Sequence, residues 1–272
     1  MTRRVIHSGR AATCGPSALD DEENQLADWD WQVFCRDTID GEARPSCFGA
    51  GGDITYLDWM LSAWGWTASV SLLALAVAML FGCLMGILRT TPNRWLVLLG
   101  DAWTELFRNI PVLVQVFLWY FVVPELVPAL KQIPSFLLVV LGLGFFTSAR
   151  VSEQVKAGIQ SLPRGQRMAG QALGLTLPQT YRHVLLPSAL RIVIPPLTSE
   201  SMGIVKNSSV AFSVSVAELT MFARQAQEET SRGIEIYLAV TALYFITSIL
   251  VYQVARLIEQ RLRIPGTIGA GK

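Results

Sequence analysis

Long uncharged runs, separated by short charged punctuation, set the pattern of this chain. Trp59 to Leu88 is thirty residues without a charge, and Ile236 to Ala255 is twenty. About 20 mostly apolar residues are enough for a helix to cross the hydrocarbon core of a bilayer, so each run predicts a transmembrane helix. Between them the pattern predicts three more. One covers about 95–123 and is interrupted at Glu105-Leu106-Phe107-Arg108-Asn109-Ile110-Pro111. Another covers about 134–155, and the last, about 191–217, opens with Pro195-Pro196 and carries Glu200 and Lys206. The expected fold class is an all-α integral membrane protein with about five transmembrane helices. Within the first span, Gly82 and Gly86 stand four apart, a spacing that lets two helices approach closely.

The segments outside the spans divide the chain further. Residues 1–27 lack an apolar period and read as a flexible tail. Residues 28–58 form a polar, acidic lead-in whose aromatics, Trp29, Trp31, Phe34, Tyr56 and Trp59, approach the first span as interfacial residues do. Residues 59–256 are the membrane domain, with a long basic loop at 156–190, and 257–272 are a basic tail. Arg3 and Arg4 are followed by no apolar stretch, so no cleaved signal peptide is expected. Lysine and arginine concentrate on one side. Loops 89–94 and 156–191 and the tail hold eleven, against three in the alternate loops. That bias places the basic loop and the C-terminus in the cytoplasm and the N-terminus outside; the acidic lead-in, with five Arg against eleven Asp and Glu over 1–58, then lies outside.

Composition agrees with a membrane protein and narrows the chemistry. Of 272 residues, 51% are hydrophobic and 16% charged, with a net charge of +1. A soluble domain carries about 25% charged residues, and so small a net charge gives no field to draw the chain onto nucleic acid. The two histidines and four cysteines show no ligand spacing, so no metal site is expected. Cys83 sits in an apolar helix as a small hydrophobe, and a Cys35–Cys47 bridge is possible in an oxidising compartment. No nucleophile–base constellation is visible, and Gly269-Ala270-Gly271-Lys272 lacks the strand and helix that frame a phosphate loop. The chain reads as a non-enzyme.

The basic loop is the informative segment. It is too polar to cross a bilayer and too long for a simple turn. Small and apolar residues at 169, 172, 173 and 177 predict a short helix that Gly174 ends, with Pro178 in the first turn of a second one. Such a helix is either a docking knob or an interfacial anchor. Met168-Ala169-Gly170, three residues, Gly174, nine residues, then Val184-Leu185-Leu186-Pro187 resembles the EAA-x3-G-x9-I-x-L-P pattern of permease subunits of ATP-binding-cassette importers for polar amino acids. Met168 and Gly170 depart from the pattern's Glu and Ala. Three further stretches are similar to that family's signatures: Glu105 to Gln115, Glu153 to Gln166, and Lys206-Asn207-Ser208-Ser209-Val210-Ala211. Within the family the wording at 29–31, 55–59, 88–94, 146–155 and 194–200 looks most like glutamate/aspartate import permeases, although permeases of general amino-acid importers share some of it.

The resemblance implies the type I importer permease fold with a cytoplasmic coupling helix, in a bacterial inner membrane. It implies a separate ATPase dimer that consumes ATP and Mg²⁺, a second permease subunit (self or sister), a periplasmic amino-acid-binding protein and surrounding lipid, with no cofactor on this chain. It assigns coupling to Met168, Ala169, Gly170, Gly174, Val184, Leu186 and Pro187. Charges and amides inside spans are costly and face a cavity or a partner, which makes Glu105, Arg108, Asn109, Gln115, Arg150, Glu153, Glu200, Lys206, Asn207 and Ser208 candidates for the substrate pathway. Arg150 can meet a substrate carboxylate in bidentate fashion, or pair within the bundle or snorkel. Arg108 and Glu105, three apart on a helix, can pair. Glu200 and Lys206 point apart. The cluster 206–209 can serve the pathway or bind helices together. An ion-coupled secondary transporter, which is typically built on an inverted repeat, is the alternative class.

Overall fold

The computed structural model of the protein describes residues 29–49 and 53–262. The expected tail at 1–27, Cys14 and the final glycine-rich residues lie outside them. The described chain is helical. Its long elements are α1 (Tyr56–Leu88), α2 (Arg94–Asn109), α3 (Val112–Leu126), α4 (Ser135–Gln160), α5 (Arg164–Ala172), α6 (Leu177–Thr180), α7 (Leu186–Asn207), α8 (Leu219–Thr230) and α9 (Gly233–Leu262).

Local chemistry sets the boundaries. Thr55 and Asp58 form a capping box that starts α1 three residues before the uncharged run, because the Thr hydroxyl and the Asp carboxylate satisfy the first free N–H groups. Asn93 caps α2 by accepting from Trp95 N–H. Ile110-Pro111 ends α2, since proline disfavours helix in the residue before it, and the chain resumes as α3 bent by 106°. Among the described residues three helices, α1, α4 and α9, are long and apolar enough to cross a membrane, and four if α2 and α3 count as one bent span. By length and composition alone, then, up to four of the five expected spans qualify. The missing one is the expected span at 191–217. It is α-helical from Leu186 to Asn207 and 3-10 from Ser208 to Val214, but Arg191, Glu200 and Lys206 give it more charge than a span tolerates on composition alone.

The expected loop at 156–190 is also more ordered than a loop. Residues 156–160 are the last turns of α4, because no breaker precedes Pro163. Residues 181–185 are a π-helical segment that runs from α6 straight into α7.

Packing centres on α4, the most enclosed of the long helices. It lies along α1 over most of its length. The contact depends on missing side chains: a Cβ at Gly82 would sit 2.5 Å from Val151, one at Gly86 2.6 Å from Val155, and one at Gly144 2.6 Å from Val77. Glycine removes the bulk that would hold two helix axes apart. Toward α7, a Cβ at Gly158 would sit 2.2 Å from Val193.

At the start of α1, residues 29–55 form a small module. Cys35 and Cys47 are joined by a disulfide, and Arg44 gathers Asp37, Asp40 and Asp53 at 3.5, 2.7 and 3.2 Å. Asp37 accepts from the Ile39 N–H at 2.7 Å; that bond, opposed by burial and helped by the Asp40 N–H and Arg44, holds its carboxyl below the usual range. The module is tied to the far end of the chain. The Asp30 N–H donates to Glu235, the Tyr56 hydroxyl donates to Glu229, and Val33 and Phe34 share a core with Phe222 and Ile236.

Candidate functional site

Helix α5 is short and amphipathic, and its end is tightly specified. Gly174 has φ +81°, a conformation that glycine adopts without a steric penalty. The Leu175 N–H donates to the Gly170 carbonyl at 3.1 Å and the Gly174 N–H to the Gln171 carbonyl at 3.0 Å. These are the two bonds of a Schellman motif. Gly170 is buried against Thr180, where a Cβ would lie 3.0 Å from the Thr180 methyl, so α5 folds back on α6. Thr176 and Gln179 form a capping box that restarts the helix. Met168 and Leu173 project outward, 68% and 82% exposed.

The motif residues therefore fall into two groups. Met168, Ala169, Gly170 and Gly174 build the projecting helix and its stop. Val184, Leu186 and Pro187 lie on the helical rod that leads into α7. Between the groups stands Tyr181, which the motif does not single out. Its hydroxyl donates to the Thr90 carbonyl at 2.7 Å and so fastens the rod to the corner between α1 and α2.

The candidate charges do not form one cluster. Arg108 pairs with Glu105 at 2.8 Å and reaches across to Glu153 on α4. Asn109 donates to the Glu105 carbonyl and carboxylate at 2.8 and 3.0 Å. Arg150 lies one turn from Glu153 on the same face of α4. It stacks over the Phe146 ring at 4.9 Å and faces Glu200 of α7 at 3.8 Å. Lys206 makes no ion pair among the described residues. Among the described residues, the Ser208 hydroxyl donates to the Val205 carbonyl of the preceding turn. Gln115 is 1% exposed, with neither amide atom hydrogen-bonded. It sits on α3, which packs on the 3-10 segment that follows Lys206 and Asn207.

Two networks escaped the sequence reading. Asp101 accepts from Arg89 at 2.6 Å and from Lys156 at 3.3 Å, and Arg89 also donates to Ser152. This ties α1, α2 and α4 together. The signal was present: Asp101 stands alone in an apolar stretch. Glu218 caps α8 and accepts from Tyr244 of α9 at 2.6 Å. It sits in a polar segment ahead of the last uncharged run, where nothing marks a buried carboxylate.

A family model described as the binding-protein-dependent transport system inner membrane component matches residues 78–264, more than half of the chain. The chain belongs to that family. Members of known name agree. The glutamate/aspartate import permease protein GltJ of Escherichia coli K12 is 42% identical over 252 residues, covering 89% of this chain and 98% of its own length. The glutamine transport system permease protein GlnP of the same organism is 33% identical, covering 73% of this chain and 90% of its own length. Among solved structures, an amino acid ABC transporter with histidines superposes with a TM-score of 0.66 at 29% identity, over 76% of this chain and 95% of that one. The inward-facing MetNI methionine ABC transporter gives 0.66 at 20% identity, covering 76% and 97%, a likeness in fold. This family member is thus a multi-pass membrane protein with the type I importer permease fold.

Proposed function

We propose that this chain is the transmembrane subunit of an ATP-driven importer that carries glutamate and aspartate from periplasm to cytoplasm. The observation that carries the reading is the segment 163–187. Its motif-spaced residues make a projecting helix, stopped by a Schellman turn, on a rod continuous with α7. A separate ATPase dimer, using ATP and Mg²⁺, would grip α5 on its cytoplasmic face. A periplasmic binding protein would deliver the amino acid on the other side, and a second permease subunit would complete the pathway. The 29–55 module then lies in the periplasm, and its disulfide supports that placement, because such bonds persist in oxidising compartments. The likeness to a glutamate/aspartate permease over 89% of this chain supports the substrate class; a general amino-acid permease is the nearest alternative.

The pathway residues are assigned by what their partners leave free. Arg108 is occupied by two carboxylates and serves to hold α2 on α4. Arg150 has one carboxylate at 3.8 Å, beyond hydrogen-bond length, and its guanidinium is available to a substrate carboxylate.

The test is uptake of labelled glutamate into proteoliposomes that hold the permease, its ATPase and the binding protein, comparing the unmodified chain with Gly174→Asp. ATP-dependent uptake that the folded variant loses is the expected result. Uptake that needs no ATP would reinstate an ion-coupled secondary transporter. No glutamate uptake, with ATPase activity stimulated by a binding protein loaded with another amino acid, would overturn the substrate alone.

A further inference from the structure

Two cavities flank the π-helical segment at 181–185. One, about 420 Å³, is almost wholly apolar and runs between α1, α4 and α7, lined by Cys83, Ile87, Val155, Ile159 and Leu186, with Arg182 at its edge. The other, about 500 Å³, is polar and basic. Arg89, Arg164 and Arg167 line it, with the hydroxyl-bearing Thr90 and Thr91. The cavities share Ile159. Residues 181 and 185 face the basic cleft, whereas 182 and 186 face the apolar groove. The helical rod therefore turns one face to a guanidinium-lined pocket and the neighbouring face to a hydrocarbon-lined one, and Ile159 borders both.

The charge around them is one-sided. From Gln154 to Ser199 the chain has no acidic residue and five cations, Lys156, Arg164, Arg167, Arg182 and Arg191. Arg89 is neutralised by Asp101, but Arg164 and Arg167 make no ion pair among the described residues. A pocket with two uncompensated guanidinium groups fits a phosphate diester; the Thr90 and Thr91 hydroxyls already donate to the Ile87 and Leu88 carbonyls and add no donor. A groove of this volume and lining fits an acyl chain.

We propose that the two cavities together are a binding site for one anionic phospholipid, its headgroup phosphate between Arg164 and Arg167 and one acyl chain along Cys83, Val155 and Ile159. Under the orientation given above, the lipid belongs to the cytoplasmic leaflet. It would bridge α5 to α1 and α4 at the root of the rod. Only the choice of leaflet rests on the importer reading; the site itself follows from the cavities and the charges.

Native mass spectrometry of the full-length chain, released from micelles doped equally with phosphatidylglycerol and phosphatidylcholine, tests the site without reference to transport. One retained phosphatidylglycerol per chain is expected, preferred by about tenfold, the order that basic residues give at an anionic surface. Arg164→Gln with Arg167→Gln should abolish the preference, while Arg164→Lys with Arg167→Lys should keep it. Cys83→Phe, which fills the groove, should reduce retention with the cleft intact. Unaltered thermal unfolding in phosphatidylcholine checks that each variant folds; should Cys83→Phe fail this, Val155→Phe takes its place. Equal retention of the two lipids overturns the proposal. So does full retention in the folded groove-filled variant. Displacement by inorganic phosphate would reassign the cleft to a soluble anion, and a second protein copy in place of lipid would reassign the groove to a subunit contact. Glutamate uptake that needs no ATP, with lipid retention intact, would count against the importer reading and leave the lipid site standing.

Discussion

Arg150 and Arg108 show how the same side chain takes opposite roles from its neighbours. Arg108 is held by Glu105 and Glu153, so Arg108→Ala exposes two carboxylates to each other and should lower stability. Arg150 leans on a phenylalanine ring and a distant carboxylate. In the reconstituted importer, Arg150→Ala should raise the KM for glutamate by about tenfold, one lost charge-assisted hydrogen bond, while thermal unfolding stays within about 1 kcal/mol of the parent. An unchanged KM would return Arg150 to a purely structural role. Asp37 makes a third case. Its carboxyl titrates lower in the folded chain than in the unfolded one, chiefly through the Ile39 N–H. The stability it contributes is complete above the unfolded pKa of about 3.9 and is lost as pH falls through the folded value. Unfolding of the module should therefore become easier below about pH 4, and Asp37→Asn should flatten that part of the profile. A profile identical in the variant would assign the acid sensitivity to other carboxylates.

At the scale of elements, the fold hangs on the seam between α1 and α4. Gly82→Ala places a methyl group 2.5 Å from Val151, and forcing extra volume into a packed core costs roughly 1–3 kcal/mol. Thermal unfolding of Gly82→Ala should fall accordingly, and Val151→Ala in the same chain should restore little of it, because the Val151 Cβ, itself 2.5 Å away, and the Ser148 carbonyl at 2.9 Å both remain. Unchanged unfolding of Gly82→Ala would mean that the helices slide apart rather than clash. This seam was legible in the sequence, since Gly82-x-x-x-Gly86 states a small face on an apolar helix. So was the break at Pro111. The helical stop at Gly174 and the restart at Pro178 were equally legible, because glycine and proline act through local backbone geometry. Less legible was the stretch 181–207. Its helicity comes from burial against α4 at Tyr181, Leu185, Ala189 and Val193, a tertiary cause with no local mark, and its four charges, Arg182, Arg191, Glu200 and Lys206, lower its mean hydropathy.

For the whole molecule, orientation decides what each end meets. Cysteine substituted at exposed Met168 should react with an impermeant maleimide only from the cytoplasmic side, and cysteine at Ile39 only from the periplasmic side, in intact and inverted vesicles. The opposite pattern would invert every assignment of partner made here, with the helix packing untouched. The candidate site was only half readable before the fold was known. The motif at 168–187 could be read because its spacing runs along one stretch of chain. The ionic pairs could be named as residues but not as partners, since Arg108 meets Glu153, and Arg150 meets Glu200, across sequence distances that only packing defines.

The bond from the Tyr181 hydroxyl to the Thr90 carbonyl turns the rod between α5 and α7 from a simple strut into a lever with two attachments. A push on α5 arrives at α7 through the continuous helix and at the α1–α2 corner through a single tyrosine. Two helices that move at different distances from one pivot are displaced by different amounts, so the same stroke would shear the bundle as well as tilt it. The pathway between them would then open as a wedge, widening from the corner where Thr90 is held.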